Sequence, residues 1–413
     1  MAEVFARLLG QGAVAAELVA AATAARDTRG QHGDGTAAPG AMTHAWLFTG
    51  PPGSGRSVAA LCFAAALQCT ADGEPGCGRC RACTSTLAGT HADVRRIVPE
   101  GLSIGVDEMR SVVATAARRP STGRWQVVVI EDADRLTEGA ANALLKVVEE
   151  PPPLTVFLLC APSVDPADVA VTLRSRCRHV PLVTPTPAAI ARVLVDVDGI
   201  GEQEARWAAV VSGGHVGRAR RLATDPDARA RRAGALDLAR DAATPQRAYA
   251  AAEELVAAAE AEARALTSGR DEAETEELRT ALGAGGTGKG TAGALRGAAG
   301  ALKDLERRQK SRQTRASRDA LDRALIDLAS FFRDALIAAA AGAEGRGQPG
   351  VAANHPDMAE RTAALAAAAS PQRLLRCIEA VLVCREALAA NVKPKFAVHA
   401  LVAAVGEALE PAG

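Results

Sequence analysis

The stretch "GPPGSGRS", Gly50 to Ser57, has the spacing of a phosphate-binding loop, G-x-x-x-x-G-K-[ST], with arginine at the lysine position. In such a loop successive backbone N–H groups form a nest for anions, and the following helix N-terminus adds partial positive charge. Gly50, Gly53 and Gly55 would let the backbone approach phosphates, Arg56 keeps the cation, and Ser57 supplies the hydroxyl that holds Mg2+. A guanidinium is longer, planar and forked, so it is a poor stand-in for the compact lysine ammonium at a γ-phosphate. These residues leave two readings open: a nucleotide site with impaired hydrolysis, or a turn kept for its shape.

A P-loop enzyme also needs a carboxylate at the end of a neighbouring strand for Mg2+, and a second to activate water. "VVVIEDAD" ends in Glu131, Asp132 and Asp134, with the usual Asp-Glu order reversed. Glu131 would face the metal, and the shorter Asp132 would stand where the base belongs. The plain alternative is an acidic strand end that caps the next helix.

Four thiols follow the P-loop helix with the spacing Cys69-x7-Cys77-x2-Cys80-x2-Cys83. Thiolates this close in tight turns suit one tetrahedral Zn2+, and four of them close its shell, which predicts a structural site. An iron–sulfur cluster is the competing reading, but its cysteine run continues differently from the Thr84-Ser85 found here. Cys62, Cys160, Cys377 and Cys384 sit in apolar runs and read as core residues. "LRSRC" places Ser175, Arg176 and Cys177 on a loop where an arginine could be merely solvated, or could reach another subunit's γ-phosphate.

A strand–loop–helix unit at 46–68, a helix near 106–118, an apolar strand at 125–134, a helix at 138–150 and a third strand at 155–161 follow in order, and 173–182 leads to a candidate fourth strand. That order indicates an α/β parallel, doubly wound sheet. A helix over 1–23 and a loose segment at 24–43 precede it. Strand signals cease after 187; residues 188–224 read as a small helical unit and 228–410 as long alanine-rich helices. Residues 267–300 read as a flexible insertion, and its "GAGGTGKG" is a decoy P-loop without strand context or a Ser/Thr after the lysine.

Lys+Arg and Asp+Glu both number 48, so global charge gives no argument for nucleic acid or membrane. The basic runs "GRARRL" (217–222) and "ERRQKSRQTRASR" (306–318) are interleaved with acids and lack aromatics for stacking, which favours solvated helix faces over a DNA-binding surface. No apolar run suits a membrane span and no signal peptide is evident, and the nine cysteines suit a reducing cytoplasm.

"GPPGSGR", the four cysteines, "AGTHADV" (88–94), "ANALLKVVEEPP" (141–152) and "LRSRC" occur here in the order found in bacterial clamp-loader subunits of DNA polymerase III, which are AAA+ proteins. The chain resembles them densely over about 40–225, and "CREALAANVKPKFAVHAL" (384–401) is similar to the end of their collar domain. The altered P-loop and acidic pair are similar to the delta-prime kind rather than the ATP-hydrolysing gamma/tau kind. The resemblance implies a RecA-like AAA+ domain over 1–185 with a zinc insertion at 69–83, a helical lid over 186–228 and an all-α collar over 229–413. It implies a rigid, non-hydrolysing stator in a pentameric ring with gamma/tau and delta subunits, which loads the sliding clamp onto primed DNA. Arg176, flanked by Ser175 and Cys177, becomes a trans-acting arginine finger; Cys69, Cys77, Cys80 and Cys83 become zinc ligands. The lid arginine that follows a glycine in the family's ATPases falls at Gly217, with Arg218 one residue late. The usual polar strand-end residue falls at Pro162 or Ser163. All these departures argue against use of Mg–ATP at the chain's own P-loop; an active gamma/tau-type ATPase is the alternative.

Overall fold

The computed structural model describes residues 3–27, 42–282, 291–344 and 352–410. Two compact units are present, Met1–Arg220 and Arg221–Gly413. The first contains α1 (Gly12–Asp27), β1 (Ala45–Thr49), α2 (Arg56–Gln68), α3 (Arg81–Leu87), β2 (Val94–Ile97), α4 (Val106–Ala116), β3 (Gln126–Ile130), α5 (Glu138–Glu149), β4 (Thr155–Ala161), α6 (Val171–Arg174) and β5 (Arg178–Pro181). Three more helices, α7 (Pro187–Asp196), α8 (Glu202–Val211) and α9 (Val216–Thr224), follow. The five strands form one sheet in the order β2-β3-β4-β1-β5, with every pair parallel.

Alternation along the strands explains why they read as continuous apolar runs. Trp46, Phe48, Val127, Val129, Leu158 and Cys160 pack against α1 and α2 on one face. Leu47, Val128, Ile130, Phe157 and Leu159 pack against α4 and α5 on the other. A sheet covered on both faces has no polar side to betray its period. The expected helix over 1–23 is instead a 3-10 turn, Glu3–Arg7, separated from α1 by Gly10 at φ +71°. Residues 24–27 belong to α1, and 28–41 of the expected loose segment lie outside the described residues.

Two elements escape the sequence reading. β2 is a four-residue edge strand whose Arg95 and Arg96 break the apolar run, and α3 is hidden inside the cysteine cluster. Just before β2, buried Asp93 anchors the loop that leads into β3. Its carboxylate accepts from the amides of Ser121 (2.7 Å), Thr122 (2.7 Å) and Gly123 (2.5 Å), and from the hydroxyls of Ser121 and Thr122. Burial alone would raise this carboxyl's pKa, but the donated hydrogen bonds outweigh it and hold the group well below the usual carboxylate range.

The second unit is all-helical: α10 (Pro226–Asp241), α11 (Pro245–Ala281), α12 (Thr291–Glu344), α13 (Ala359–Ala368), α14 (Pro371–Ala389) and α15 (Pro394–Leu409). Leu374, Cys377, Val381, Cys384 and Leu388 recur on one face of α14 and meet Val398, Leu401, Val402 and Val405 of α15. Small residues let the helices close up: a Cβ on Gly406 would stand 2.8 Å from the Ala242 carbonyl oxygen.

The flexible insertion expected over 267–300 is corrected here. Residues 267–281 continue α11 and 291–300 begin α12, while "GAGGTGKG" at 283–290 lies outside the described residues. Arg312 pairs with Asp271 (2.6 Å) and Glu274 (3.0 Å), Gln309 donates to the Asp271 carbonyl (2.8 Å), and Arg323 pairs with Glu262 (3.1 Å). As one partner's number rises the other's falls, so α11 and α12 run antiparallel. Charges arranged between two helices supply the cohesion that an apolar stripe supplies elsewhere. Composition alone read that segment as unstructured because its register is invisible until the partner helix is known.

Asp93→Ala should destabilise the protein by about 2–4 kcal/mol, because five donors lose one acceptor. Since folding lowers this carboxyl's pKa, its contribution is present above the ordinary carboxylate value and is lost as pH falls through the folded one. Denaturant titrations across the acid range should therefore show a shallower acid loss in Asp93→Asn than in the unaltered chain.

Candidate functional site

The P-loop follows β1 at the C-terminal edge of the sheet, where three glycines adopt backbone that side chains resist. Gly53 has φ +90° and Gly55 φ +92°, and a Cβ on Gly53 would lie 2.6 Å from the Cα of His215. His215 stands just ahead of α9, so the "SGGHVGRARR" segment presses directly on the loop. The Gly50 amide donates to the carbonyl of Pro162 at the end of β4 (3.1 Å). Gln11 ties the loop from the other side, donating to the Val183 carbonyl (2.5 Å) and accepting from the Val183 amide (3.3 Å). Its amide also reaches the Ser54 carbonyl at 3.4 Å. α2 begins at Arg56 with no side-chain cap on its first turn, in which Ser57 lies.

Arg56 does not extend outward as a phosphate-seeking cation would. Its guanidinium folds back and donates to the carbonyl oxygen of Gly50 at 2.6 Å. A charge-assisted bond of this kind contributes about 1.5–3 kcal/mol, which an incoming phosphate would have to displace.

The acidic strand end is equally occupied. Glu131, half-buried, is ion-paired with Arg96 of β2. Asp132 takes left-handed backbone at φ +51° and opens the 3-10 turn Ala133–Arg135. Asp134 lies behind it, its pKa raised first by burial and then by the Asp132 charge, with one carboxyl oxygen lacking a hydrogen-bond partner. These residues do not fit a Mg2+–nucleotide complex. The carboxylate in the metal position already faces a guanidinium, and the P-loop cation is turned onto its own backbone. At the end of β4, Ser163 donates to Asp168 (2.6 Å) and accepts from the Asp165 amide (2.9 Å), so it serves its own loop. Gly217 and Arg218 fall in the first turn of α9, where the Arg218 amide donates to His215 Nδ1 (3.2 Å).

The four expected metal-ligating cysteines converge. Cys69 ends α2, Cys80 caps α3, and the sulfurs of Cys69, Cys77, Cys80 and Cys83 all lie within 4.8 Å of one another. The Cys80 amide points to the Cys77 sulfur (3.3 Å) and the Cys83 amide to the Cys80 sulfur (3.5 Å), which favours thiolates. Glycines 73, 76 and 78, all at positive φ, make the turns, and Arg26 of α1 braces them through the carbonyls of Ala71 (3.1 Å), Gly73 (2.7 Å) and Cys69 (3.2 Å). Burial opposes ionisation of Cys80, but hydrogen bonds from Thr70 and Cys83 outweigh it and bring the thiol down to about 6. This donor set can hold one tetrahedral metal. By contrast, Cys62 and Cys384 are core thiols pushed up to about 12 by burial, and Cys377 to about 11.

Arg176 lies at the opposite edge of the sheet from the P-loop. It follows α6 and precedes β5 by two residues, and Arg178 pairs in register with Trp46, four residues before Gly50. At the rise of a parallel strand the Trp46 and Gly50 levels are about 13 Å apart. The guanidinium is 39% exposed and pairs with Glu149 at the end of α5 (2.6 Å), and it donates to the Thr172 carbonyl (2.9 Å) and the Ser175 hydroxyl (3.2 Å). Cys177 turns inward against the α4–α5 core, and burial pushes its thiol up to about 12, which removes it as a nucleophile.

Residues 33–186 match the family model described as "DNA polymerase III, delta subunit". The chain is 39% identical over 136 residues to the delta' subunit of Haemophilus influenzae, covering 33% of this chain and 41% of that protein. It is 40% identical over 151 residues to the delta' subunit of Pseudomonas aeruginosa, covering 36% and 45%. This part of the chain is similar to DNA polymerase III clamp-loader subunits. A gamma/tau subunit of Mycobacterium tuberculosis is 31% identical over 216 residues, covering 51% of this chain and 34% of that protein. Similarity of sequence thus reaches both kinds of clamp-loader subunit, and the match spans less than half the length of each relative. The parallel sheet flanked by helices, followed by an all-helical unit, has the expected α/β architecture.

Sequence reasoning missed three of the residues that shape this site: Arg96, His215 and Gln11. An arginine pair inside a short β-branched run was the available signal for Arg96. His215 and Gln11 carry no local signal, since each is defined by a contact distant in the chain. Among the described residues no helix is long and apolar enough to cross a membrane.

Gly53→Ala should be destabilising by about 2–4 kcal/mol, since it combines left-handed backbone with an overlap against His215. Gly55→Ala, whose Cβ would meet nothing within 4 Å, should cost only the backbone strain. Comparing their denaturation midpoints separates the packing cost from the conformational one.

Proposed function

We propose that the chain is a non-hydrolysing, delta-prime-type subunit of the DNA polymerase III clamp loader. It acts as a stator in a pentameric AAA+ ring, with gamma/tau and delta subunits as partners, that loads the sliding clamp onto primed DNA in the cytoplasm. One observation carries this reading over the gamma/tau type: the guanidinium of Arg56 is bonded to the Gly50 carbonyl instead of being held out for a phosphate. The alternative, an active gamma/tau-type ATPase, draws on the similarity to gamma/tau chains, and ATP turnover by the isolated chain separates the two. The proposed outcome is none above background.

The chemistry is supplied to a neighbour. Arg176 lies beside the N-terminal end of β5, away from the strand ends that carry the P-loop, and its side chain is held by Glu149, a partner it can exchange for a phosphate at a subunit boundary. A guanidinium suits this task because its fork spreads charge over the equatorial oxygens of a transferring phosphoryl group. Ser175 and Cys177 position it, the first by accepting its N–H and the second by anchoring the loop in the core. The lid (186–228) and collar (229–413) are proposed on the same footing, with the collar joining the ring. Zinc is the metal assigned to Cys69, Cys77, Cys80 and Cys83, where it would supply structural closure of the α2–α3 turn.

Arg176→Ala should leave folding and assembly intact and lower ATP turnover by the reconstituted complex by about 10³-fold. Unchanged turnover would reduce the arginine to a structural role. Metal analysis of the purified chain should find one zinc, and Cys80→Ser should lose it with a fall in thermal midpoint; an iron–sulfur visible spectrum would overturn the assignment.

A further inference from the structure

The P-loop fold does not by itself demand an arginine beside its acidic strand end, yet one is there. Arg96 lies on β2 in register with Val129, whose side chain packs on the α1–α2 face, while its neighbour Ile97 goes to the α4–α5 face. Alternation therefore sends Arg96 to the same face as the P-loop helix. Glu131 follows Ile130, another residue of the opposite core, and so emerges on the Arg96 side. The two form an ion pair in which the Glu131 side chain is 12% exposed and the Arg96 side chain 46%. Arg56, bonded to the Gly50 carbonyl, opens α2 on that same face of the sheet. Each of the two guanidiniums thus already has an internal acceptor at the strand ends where an ATPase of this fold balances its acids against a metal ion.

The geometry points to Arg96 as an internal cation that holds Glu131 in place of a divalent metal, so that two arginines together, not Arg56 alone, close the site to Mg2+. This deepens the proposed function and rests on its reading of the site as non-hydrolysing. Arg56 withdraws the cation from the phosphate position, and Arg96 withdraws the carboxylate from the metal position. Either defect alone is enough, so repairing one leaves the other. The pair also removes the need for a ligand: an unpaired half-buried carboxylate would be costly, whereas a paired one is satisfied with the site empty.

The test uses the full chain and titrates a fluorescent ATP analogue with and without Mg2+, after circular dichroism has shown each variant folded. The unaltered chain, Arg56→Lys and Arg96→Gln should each bind with an affinity that Mg2+ does not improve. Arg56→Lys combined with Arg96→Gln should bind at least about tenfold more tightly with Mg2+ than without. Combining Arg56→Lys with Arg96→Lys, which keeps the charge, should return the Mg2+-independent behaviour. Where glutamine at position 96 prevents folding, Arg96→Met keeps the apolar stem and gives the same readout. Full Mg2+ dependence in Arg56→Lys alone would overturn the inference, as would its absence from the double variant. ATP turnover by the unaltered chain is measured separately, and it bears on the proposed function rather than on the division of labour between the arginines.

Discussion

Everything in the first unit follows from one constraint: a five-stranded parallel sheet buried on both faces must push its polar chemistry to its two edges. Parallel strands give those edges distinct identities. The C-terminal edge receives the P-loop, Glu131 and Asp132, and the N-terminal edge receives Arg176. The central strands β1, β3 and β4 are buried through their length and rigid by packing, so they fix the separation between the two sets of charges. A residue at one edge cannot be recruited to the other by a rotamer change. The sheet thereby sets Arg176 and the P-loop near opposite ends of its strands.

At the C-terminal edge, the balance of charges matters more than any single substitution. An ion pair near the surface contributes about 0–1 kcal/mol, so Arg96 and Glu131 add little to stability. Their consequence is occupancy. A ligand that must first break the Arg56–Gly50 bond and then compete with Arg96 gains only the difference, and that difference sets its affinity. The residues that would hold a nucleotide are therefore present in outline, with Arg56 and Glu131 already bonded to internal partners.

Much of this was legible in the residues, and what was not has physical causes. β4 matches its expected span because seven consecutive buried residues leave no ambiguity, and α5 is bounded by a Thr137 cap and the prolines at 151–153. The cysteine spacing announced its convergence because tight turns leave four thiols few other arrangements. β2 was not legible, since an edge strand of four residues with two arginines has no period to detect. The pairing of Arg96 with Glu131 bridges neighbouring strands, and such a contact exists only once strand order is known. The α11–α12 hairpin failed for a related reason. A helix stabilised by charges on a partner helix looks, in isolation, like a polar low-complexity segment.

Under the proposed function, self-compensation at the nucleotide site and exposure at Arg176 are two sides of one design. A ligand shifts a conformational equilibrium only by its differential affinity for the two states. A module whose P-loop is satisfied internally has no such ligand, so its shape does not follow the nucleotide state. What it presents to a neighbour is then constant, and a finger held on an unmoving sheet edge offers the same geometry in every cycle of the adjoining subunit. Arg176 rests on Glu149 through a bond that is exposed and exchangeable, whereas Arg56 is tied into the backbone of its own loop. The arginine that can be released and the arginine that is turned inward stand at opposite ends of the same strands. On the proposed reading, that asymmetry turns a nucleotide-binding fold into a support for catalysis elsewhere.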